Sequence, residues 1–280
     1  MDYFERMERR LAGKEEGVPG WMGAKSATRP FADTVGVKAP KLFFEATASE
    51  LPSKTFPNEF VLKPAFASTS IGVRLLKKLS PGRYCDLSNG EEITILELKS
   101  ECQKISHSYY DDPEKGTFYV EQLLKDSDGN APPRDIRVYA FQGKIGFILA
   151  EDHISGPAQA SFYDENFDLI SDVEERFGVA ENMEELEKIV QAPAPSNKEA
   201  ILSVAKRISI AVPTAFCRID LYDAIDGVFL GELTFYPGTF LYKNRKIMKQ
   251  KEADRLGDLW EEASSKLLGS KLQHATRADR

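Results

Sequence analysis

Two stretches of this chain gather residues able to act on a phosphate. The first is Phe60-Val61-Leu62-Lys63-Pro64-Ala65-Phe66-Ala67-Ser68-Thr69-Ser70-Ile71-Gly72-Val73. A lysine ending a strand, followed by a loop of small and hydroxyl residues that leads into a second strand, can present an ammonium and several backbone N–H groups to one anion. The same stretch also reads as an exposed hairpin with a snorkelling lysine, and the segment alone does not separate the two.

The second stretch pairs Arg218-Ile219-Asp220-Leu221 with Gly231-Glu232-Leu233-Thr234-Phe235-Tyr236-Pro237-Gly238. Residues two apart on a strand share a face, so Arg218 and Asp220 look the same way, as do Glu232 and Thr234, and a hairpin can make the pairs converge. Two carboxylates on one face repel unless a cation compensates, and such hard oxygen ligands suit Mg2+ bound together with nucleotide phosphates. The alternative is an exposed sheet face on which Arg218 merely neutralises Asp220 and Glu232. A third stretch, Tyr119-Val120-Glu121-Gln122-Leu123-Leu124, is an apolar strand running into a loop. It offers backbone groups and an apolar wall to a purine, or it is simply a buried strand.

The elements that must position these residues follow from the apolar pattern. Tyr3, Phe4, Met7 and Leu11 predict a short helix closed by the Gly-rich stretch 13–23; residues 41–45, 60–63 and 117–120 predict strands, and 91–106 a helix between them. Residues 134–141 and 145–150 alternate around Gln142-Gly143-Lys144 as one hairpin, and 215–222 with 228–235 form a second around Asp226-Gly227. Residues 182–210 carry a helical pattern split by 191–196, 252–268 read as a last helix, and the tail from Gly269 reads as frayed. Hairpins mixed with helices, without strict βαβ alternation, predict the α+β class.

Composition narrows the function classes. The chain has 280 residues, 37 basic against 44 acidic, for a net charge of −7, which argues against a protein devoted to nucleic-acid backbones. Its three cysteines, Cys85, Cys102 and Cys217, form no CxxC, so neither a disulfide framework nor a zinc ribbon is expected. No apolar run approaches a membrane span and the first twenty residues lack a signal-peptide core, so a cytoplasmic location is expected. His107, His153 and His274 lie far apart, which disfavours a shared metal site; His153 reads as a loop residue that could line an acceptor pocket. Lys243, Arg245, Lys246, Lys249 and Lys251 read as a solvated basic face or an attractor for an anionic acceptor.

Taken in order over about residues 25–240, these motifs resemble the ATP-grasp superfamily, including D-alanine–D-alanine ligases, and within it the TupA-like branch. Lys25, Arg29, Gly36 and Pro40 fit the pattern before the phosphate lysine, and Lys63-Pro64 with Ser68, Thr69, Ser70 and Gly72 fits the Lys-Pro and Ser-rich loop, although Ala67 stands where relatives usually have Gly. Glu121 and Leu124 match the adenine hinge, Asp135 the ribose carboxylate, and Arg218, Asp220, Glu232, Thr234, Pro237 and Gly238 the phosphate and Mg2+ motif. Glu232-Leu233-Thr234-Phe235 is characteristic of the TupA-like branch, which has Thr where other members have Asn.

The resemblance implies an ATP-grasp fold of two α+β lobes clasping ATP, with the usual N-terminal lobe reduced or absent. It implies residues 1–40 as a remnant of that lobe, 41–124 as the small lobe, 125–268 as the large lobe and 269–280 as a tail. The implied activity is that of an ADP-forming carboxylate–amine ligase using ATP and Mg2+, with polysaccharide or peptide-conjugate assembly as the implied setting. Lys63 and Arg29 would bind the α and β phosphates, and the N–H groups near Thr69 and Ser70 the γ-phosphate. Glu121, Gln122, Leu123 and Leu124 would meet the adenine, and Asp220, Glu232 and Thr234 the metal, with Arg218 stabilising the tetrahedral intermediate. The acceptor, small or carrier-linked, would be held by the remaining lobes, a second copy or a partner chain. Phosphoryl transfer to a hydroxyl, and a non-catalytic nucleotide-binding scaffold, are the alternatives.

Overall fold

The computed structural model describes residues 1–67, 71–152, 158–181 and 183–278. It begins with helix α1 (Tyr3–Leu11), started by a capping box in which the Asp2 carboxylate accepts from Glu5 N and the Glu5 carboxylate from Asp2 N, each at 2.9 Å. After a single 3-10 turn at Gly20–Gly23, helix α2 (Lys25–Thr34) follows. The sequence reading had no helix there, and Lys25 and Arg29 lie one turn apart on it.

The chain divides into two compact units, Pro40–Pro133 and Met1–Ala39 with Arg134–Arg280. Residues 1–39 of the stretch expected as a separate remnant fall within the larger unit: Met22, Ala32 and Val37 lie in one of its apolar cores and Tyr3 and Met7 in the other. The boundary expected after residue 124 falls after Pro133, and Lys125 is ion-paired to Glu59 at 2.6 Å within the smaller unit.

The smaller unit holds β1 (Leu42–Thr47), β2 (Glu59–Pro64), β3 (Arg74–Ser80), β4 (Arg83–Asp86), β5 (Glu92–Thr94), helix α3 (Ile95–Tyr110) and β6 (Thr117–Glu121). Its six-stranded antiparallel sheet has the order β1-β6-β2-β3-β4-β5. Phe56, Phe60, Leu62, Leu76 and Phe118 pack with Leu98 and Cys102 of α3. The helix expected over 91–106 starts later, because Glu92–Thr94 pairs with β4 and Thr94 then caps α3 in a capping box with Glu97.

The larger unit continues with β7 (Asp135–Phe141), β8 (Lys144–Asp152), β9 (Ala158–Tyr163), α4 (Val173–Arg176), β10 (Phe177–Val179), β11 (Glu187–Ile189), α5 (Lys198–Ala211), β12 (Cys217–Ala224), β13 (Gly227–Thr234), β14 (Lys246–Met248) and α6 (Gln250–Ala278). Its main sheet runs β11-β9-β8-β7-β12-β13, antiparallel except for the β11–β9 pair, and β10 pairs with β14. Both expected hairpins are present. Ile136, Val138, Ile148, Cys217, Ile219 and Leu233 form one core with Ile201, Ala205 and Ile208 of α5. Tyr139, Phe141, Phe147 and Leu149 form another with Tyr3 and Met7 of α1 and Leu256 and Trp260 of α6.

Two expectations are corrected. The stretch before 191, expected to be helical, forms a turn and then β11, whose Glu187 pairs with Ala158 on the free edge of β9; that edge takes priority over the helical spacing. The tail expected to fray from Gly269 continues α6 to Ala278. Among the described residues no helix is long and apolar enough to cross a membrane.

Candidate functional site

The alternation of β12 and β13 brings four polar side chains together. Arg218 and Thr234 are register partners, as are Asp220 and Glu232, with a bulge just beyond Asp220. Arg218 grips Asp220 as a fork, Nε donating to Oδ1 at 2.7 Å and Nη2 to Oδ2 at 2.5 Å. The same Nη2 reaches Thr234 Oγ1 at 3.0 Å and Glu232 Oε1 at 3.2 Å, while Nη1 lies 3.5 Å from Thr239 Oγ1. Thr234 Oγ1 donates to Glu232 Oε1 at 3.3 Å. Arg218 pairs with both carboxylates, as the neutralising sheet-face reading also expects, but Arg218 and Asp220 are buried rather than exposed. Glu232 is different: its side chain is 44% exposed and open to a ligand.

The electrostatics follow from this crowding. Burial opposes the charge on Arg218, yet the Asp220 carboxylate raises its proton affinity above the ordinary arginine value. Glu232 is pushed up to about 7, first by burial and then by the Asp220 charge, with Arg218 acting the other way. One guanidinium therefore does not satisfy two carboxylates.

Asp135 and Arg137 carry the same face onto β7, Arg137 standing opposite Asp220 and Asp135 opposite Glu151 of β8. Arg137 donates to Asp135 Oδ2 through Nε at 2.8 Å and also pairs with Glu151. Asp135 is raised by burial against the pull of Arg137, and its Oδ1 has no hydrogen-bond partner among the described residues. Behind them, buried Lys246 pairs with Glu151 and, at 2.6 Å, with Glu187, which Arg245 meets at 3.3 Å.

Lys243, Arg245, Lys249 and Lys251 are exposed, as a solvated basic face would be, and the reading of 243–251 is corrected only at Lys246. Lys246 is buried between two carboxylates, Lys249 donates to the Glu174 carbonyl, Lys251 pairs with Asp172 and Glu175, and Lys243 lies over the Phe4 ring. Cys217 packs in the core away from Arg218, its thiol pushed up to about 12 by burial.

In the smaller unit, β2 places Lys63 beside β6, and its ammonium meets Glu121 Oε2 at 2.5 Å. After β6 the chain is held to β1, Gln122 N donating to Lys41 O at 2.9 Å, and Leu123 and Leu124 are buried. Gly72 has φ +67°, a conformation L side chains rarely adopt, and a Cβ there would come within 2.5 Å of Ile105 Cδ1. Ser68, Thr69, Ser70 and His153 lie outside the described residues. Lys63, Gly72 and Glu121–Leu124 thus sit in one unit, and Arg29, Asp135, Arg218, Asp220, Glu232 and Thr234 in the other.

Sequence reasoning missed Arg137, Glu151, Glu187 and Lys246. Arg137 had a signal, since it alternates with Ile136 and Val138 and so shares the face of Asp135. Lys246 had none.

The donor set fits a hard divalent cation. Asp220, Glu232 and Thr234 offer only oxygens, and the raised Glu232 marks negative charge that Arg218 leaves uncompensated. Among the described residues no three Asp, Glu, His or Cys side chains form a metal-holding group on their own. Mg2+ dehydrates reluctantly and is commonly held by one or two carboxylates together with phosphate oxygens, and Asp220 and Glu232 would be the carboxylates of such a site.

Two antiparallel-rich α+β units, a strand-ending lysine before a small-residue loop, and an Arg-x-Asp/Glu-x-Thr hairpin are the marks of an ATP-grasp protein. A family model described as TupA-like ATPgrasp matches residues 22–260, and the chain belongs to that family. No curated protein matches the chain. Among solved structures, D-alanine–D-alanine ligase from Bacillus anthracis is 15% identical, covered over 69% of its length and 92% of this chain, with a TM-score of 0.47. The same enzyme complexed with ATP gives 13%, 68%, 92% and 0.46. L-amino acid ligase from Bacillus licheniformis gives 15% identity, 45% of its own length, 81% of this chain and a TM-score of 0.45.

Proposed function

We propose that the protein is an ATP- and Mg2+-dependent ligase that activates a carboxylate as an acylphosphate for attack by an amine. The observation that carries this reading is the hairpin of β12 and β13, where Asp220 and Glu232 are register partners sharing the Arg218 guanidinium with Thr234 alongside. Family membership supports the use of ATP.

Asp220, Glu232 and Thr234 would hold Mg2+, which when bound supplies charge neutralisation on the phosphate chain. Lys63 and Arg29 would bind the α and β phosphates, and Ser68, Thr69, Ser70 and Gly72 would meet the γ-phosphate. Glu121, Gln122, Leu123 and Leu124 meet the adenine, and Asp135 the ribose. Phosphoryl transfer needs positioning and charge stabilisation more than covalent help from the protein. A substrate carboxylate oxygen attacks the γ-phosphorus and ADP leaves; the amine nitrogen then attacks the acyl carbon, phosphate leaves, and the nitrogen gives up its proton. Arg218, already raised in proton affinity, stays charged and stabilises the tetrahedral intermediate.

The test is ADP release across a panel of amino acids, uronic acids and sugar alcohols, each with and without an amine. ADP and phosphate appearing only when carboxylate and amine are both present supports the ligase. ADP formed with a sugar alcohol alone replaces it with hydroxyl phosphorylation.

A further inference from the structure

Arg218 and Thr234 form the last register pair of β12 and β13 at the end away from the hairpin turn, because β12 begins at Cys217 and β13 ends at Thr234. Strand pairs open from their ends, and β12 is held on its other side by β7, where Cys217 and Arg218 face Ala140 and Tyr139, so the edge strand β13 is the one free to lift away from Arg218 at this end. That end is closed from outside the sheet. Arg10 of α1 donates through Nη1 to the carbonyls of Phe216 and Phe235, both at 3.0 Å, the residues immediately outside the two strands.

Every N–H of this guanidinium is used. Nη2 reaches Thr214 Oγ1 at 3.0 Å and Glu15 Oε1 at 2.8 Å, and Nε reaches Glu15 Oε2 at 2.8 Å. The side chain is wholly buried, its Cζ 4.4 Å from the Trp260 ring centroid. A buried cation is costly unless paired and hydrogen-bonded, and here both conditions are met. Met7 and Tyr3 seat the same helix among Phe216, Trp260 and Tyr139. Arg10 also lies before the residues 22–260 that the family model matches, so this contact comes from outside the matched segment.

We propose that Arg10 is a positioning residue for the ligand site: it closes the open end of the β12–β13 ladder and so fixes Arg218 and Thr234 in place. The inference rests on the ligand role proposed above for Arg218. Lysine at position 10 could reach one carbonyl but not span two, because it lacks the planar fork.

The test compares wild type with Arg10→Lys and Glu15→Gln, using Arg6→Met as control, since Arg6 sits on the same helix but pairs with Glu261. Amide hydrogen exchange is followed in peptides covering 213–222 and 229–237, and MgATP affinity is measured by calorimetry. In Arg10→Lys, exchange in those two peptides is expected to rise about tenfold or more while 136–150 keeps its wild-type rate. MgATP affinity is expected to fall about tenfold, as for loss of a preorganised contact. Glu15→Gln moves both in the same direction by less, and decides the matter if Arg10→Lys does not fold. Unchanged exchange at 213–222, or acceleration spread evenly over the larger unit as in Arg6→Met, overturns the proposal. If wild type binds no MgATP but Arg10→Lys loosens those two peptides, the ladder closure stands and the nucleotide reading falls.

Discussion

Asp220 and Glu232 stand opposite each other on neighbouring strands and share one guanidinium, Arg218 Nη2 lying 2.5 Å from the first carboxylate and 3.2 Å from the second. The geometry is unequal. Asp220 takes both arms of the fork, and Glu232 keeps an exposed oxygen for something else.

Glu232→Gln keeps the shape and removes the charge that a cation would use. Mg2+-dependent ADP release is expected to fall about 100-fold or more, the scale of losing a group that stabilises transition-state charge, while the thermal midpoint holds or rises. Steady-state kinetics beside a melting curve checks both, and turnover within threefold of wild type removes Glu232 from the metal set.

The same residue gives the apoprotein a pH dependence. Its folded value of about 7 lies above the ordinary 4.5, so the stability it contributes is fully present below about 4.5 and is lost as pH rises through about 7. Urea denaturation of wild type and Glu232→Gln at pH 5 and pH 8, without nucleotide or metal, should show wild type losing ground to the variant at the higher pH. Mg2+ affinity should move oppositely, rising through pH 7 as the competing proton leaves. Parallel stabilities at both pH values contradict the assignment.

Lys63→Met tests the phosphate lysine against Lys41→Ala, whose lysine lies outside the motif with its ammonium over the Phe43 ring. MgATP affinity is expected to fall about tenfold or more in the first, as for loss of a charge-assisted contact, and to stay within about twofold in the second. Calorimetric titration distinguishes them; equal losses would mean Lys63 serves only Glu121.

Lys246→Met withdraws the cation that Glu151 and Glu187 share in the interior. Breaking a buried pair from one side costs about 3–5 kcal/mol, which should appear as a large drop in urea midpoint. Lys251→Met removes exposed pairs to Asp172 and Glu175 and should leave the midpoint where it is. A small effect at Lys246 would show that water or rearrangement compensates Glu151.

Gly72→Ala forces a side chain into a left-handed backbone against Ile105 and Pro64. A destabilisation of about 1–3 kcal/mol is expected, read from the same denaturation curves. No change would mean the backbone at 72 relaxes freely.

Much of the site was legible because strand alternation is a short-range rule. Arg218-x-Asp220 and Glu232-x-Thr234 declare a shared face within three residues each, and Asp226-Gly227 fixes the turn that opposes them. The interior charges were not legible. Lys246 looks like its neighbours Arg245 and Lys249 in the sequence, and only its burial between the distant carboxylates of Glu151 and Glu187 distinguishes it. The same holds for Met183, Leu186 and Val190, whose helical spacing is local while the vacant edge of β9 that captures Glu187–Ile189 is not. Helix α2 escaped notice because Pro30 lies inside it, a residue usually read as a break.

The seat of α1 also sets an order of events during synthesis. Arg10 bonds to residues 206 and 225 positions further along, and Trp260 lies later still. Helix α1 therefore waits for partners made long after it, whereas the unit of Pro40–Pro133 has its core entirely within itself and can complete it early. Until β7, β12 and α6 have all emerged, the seat of Tyr3 and Met7 is incomplete, and their apolar stripe needs shielding in the nascent chain.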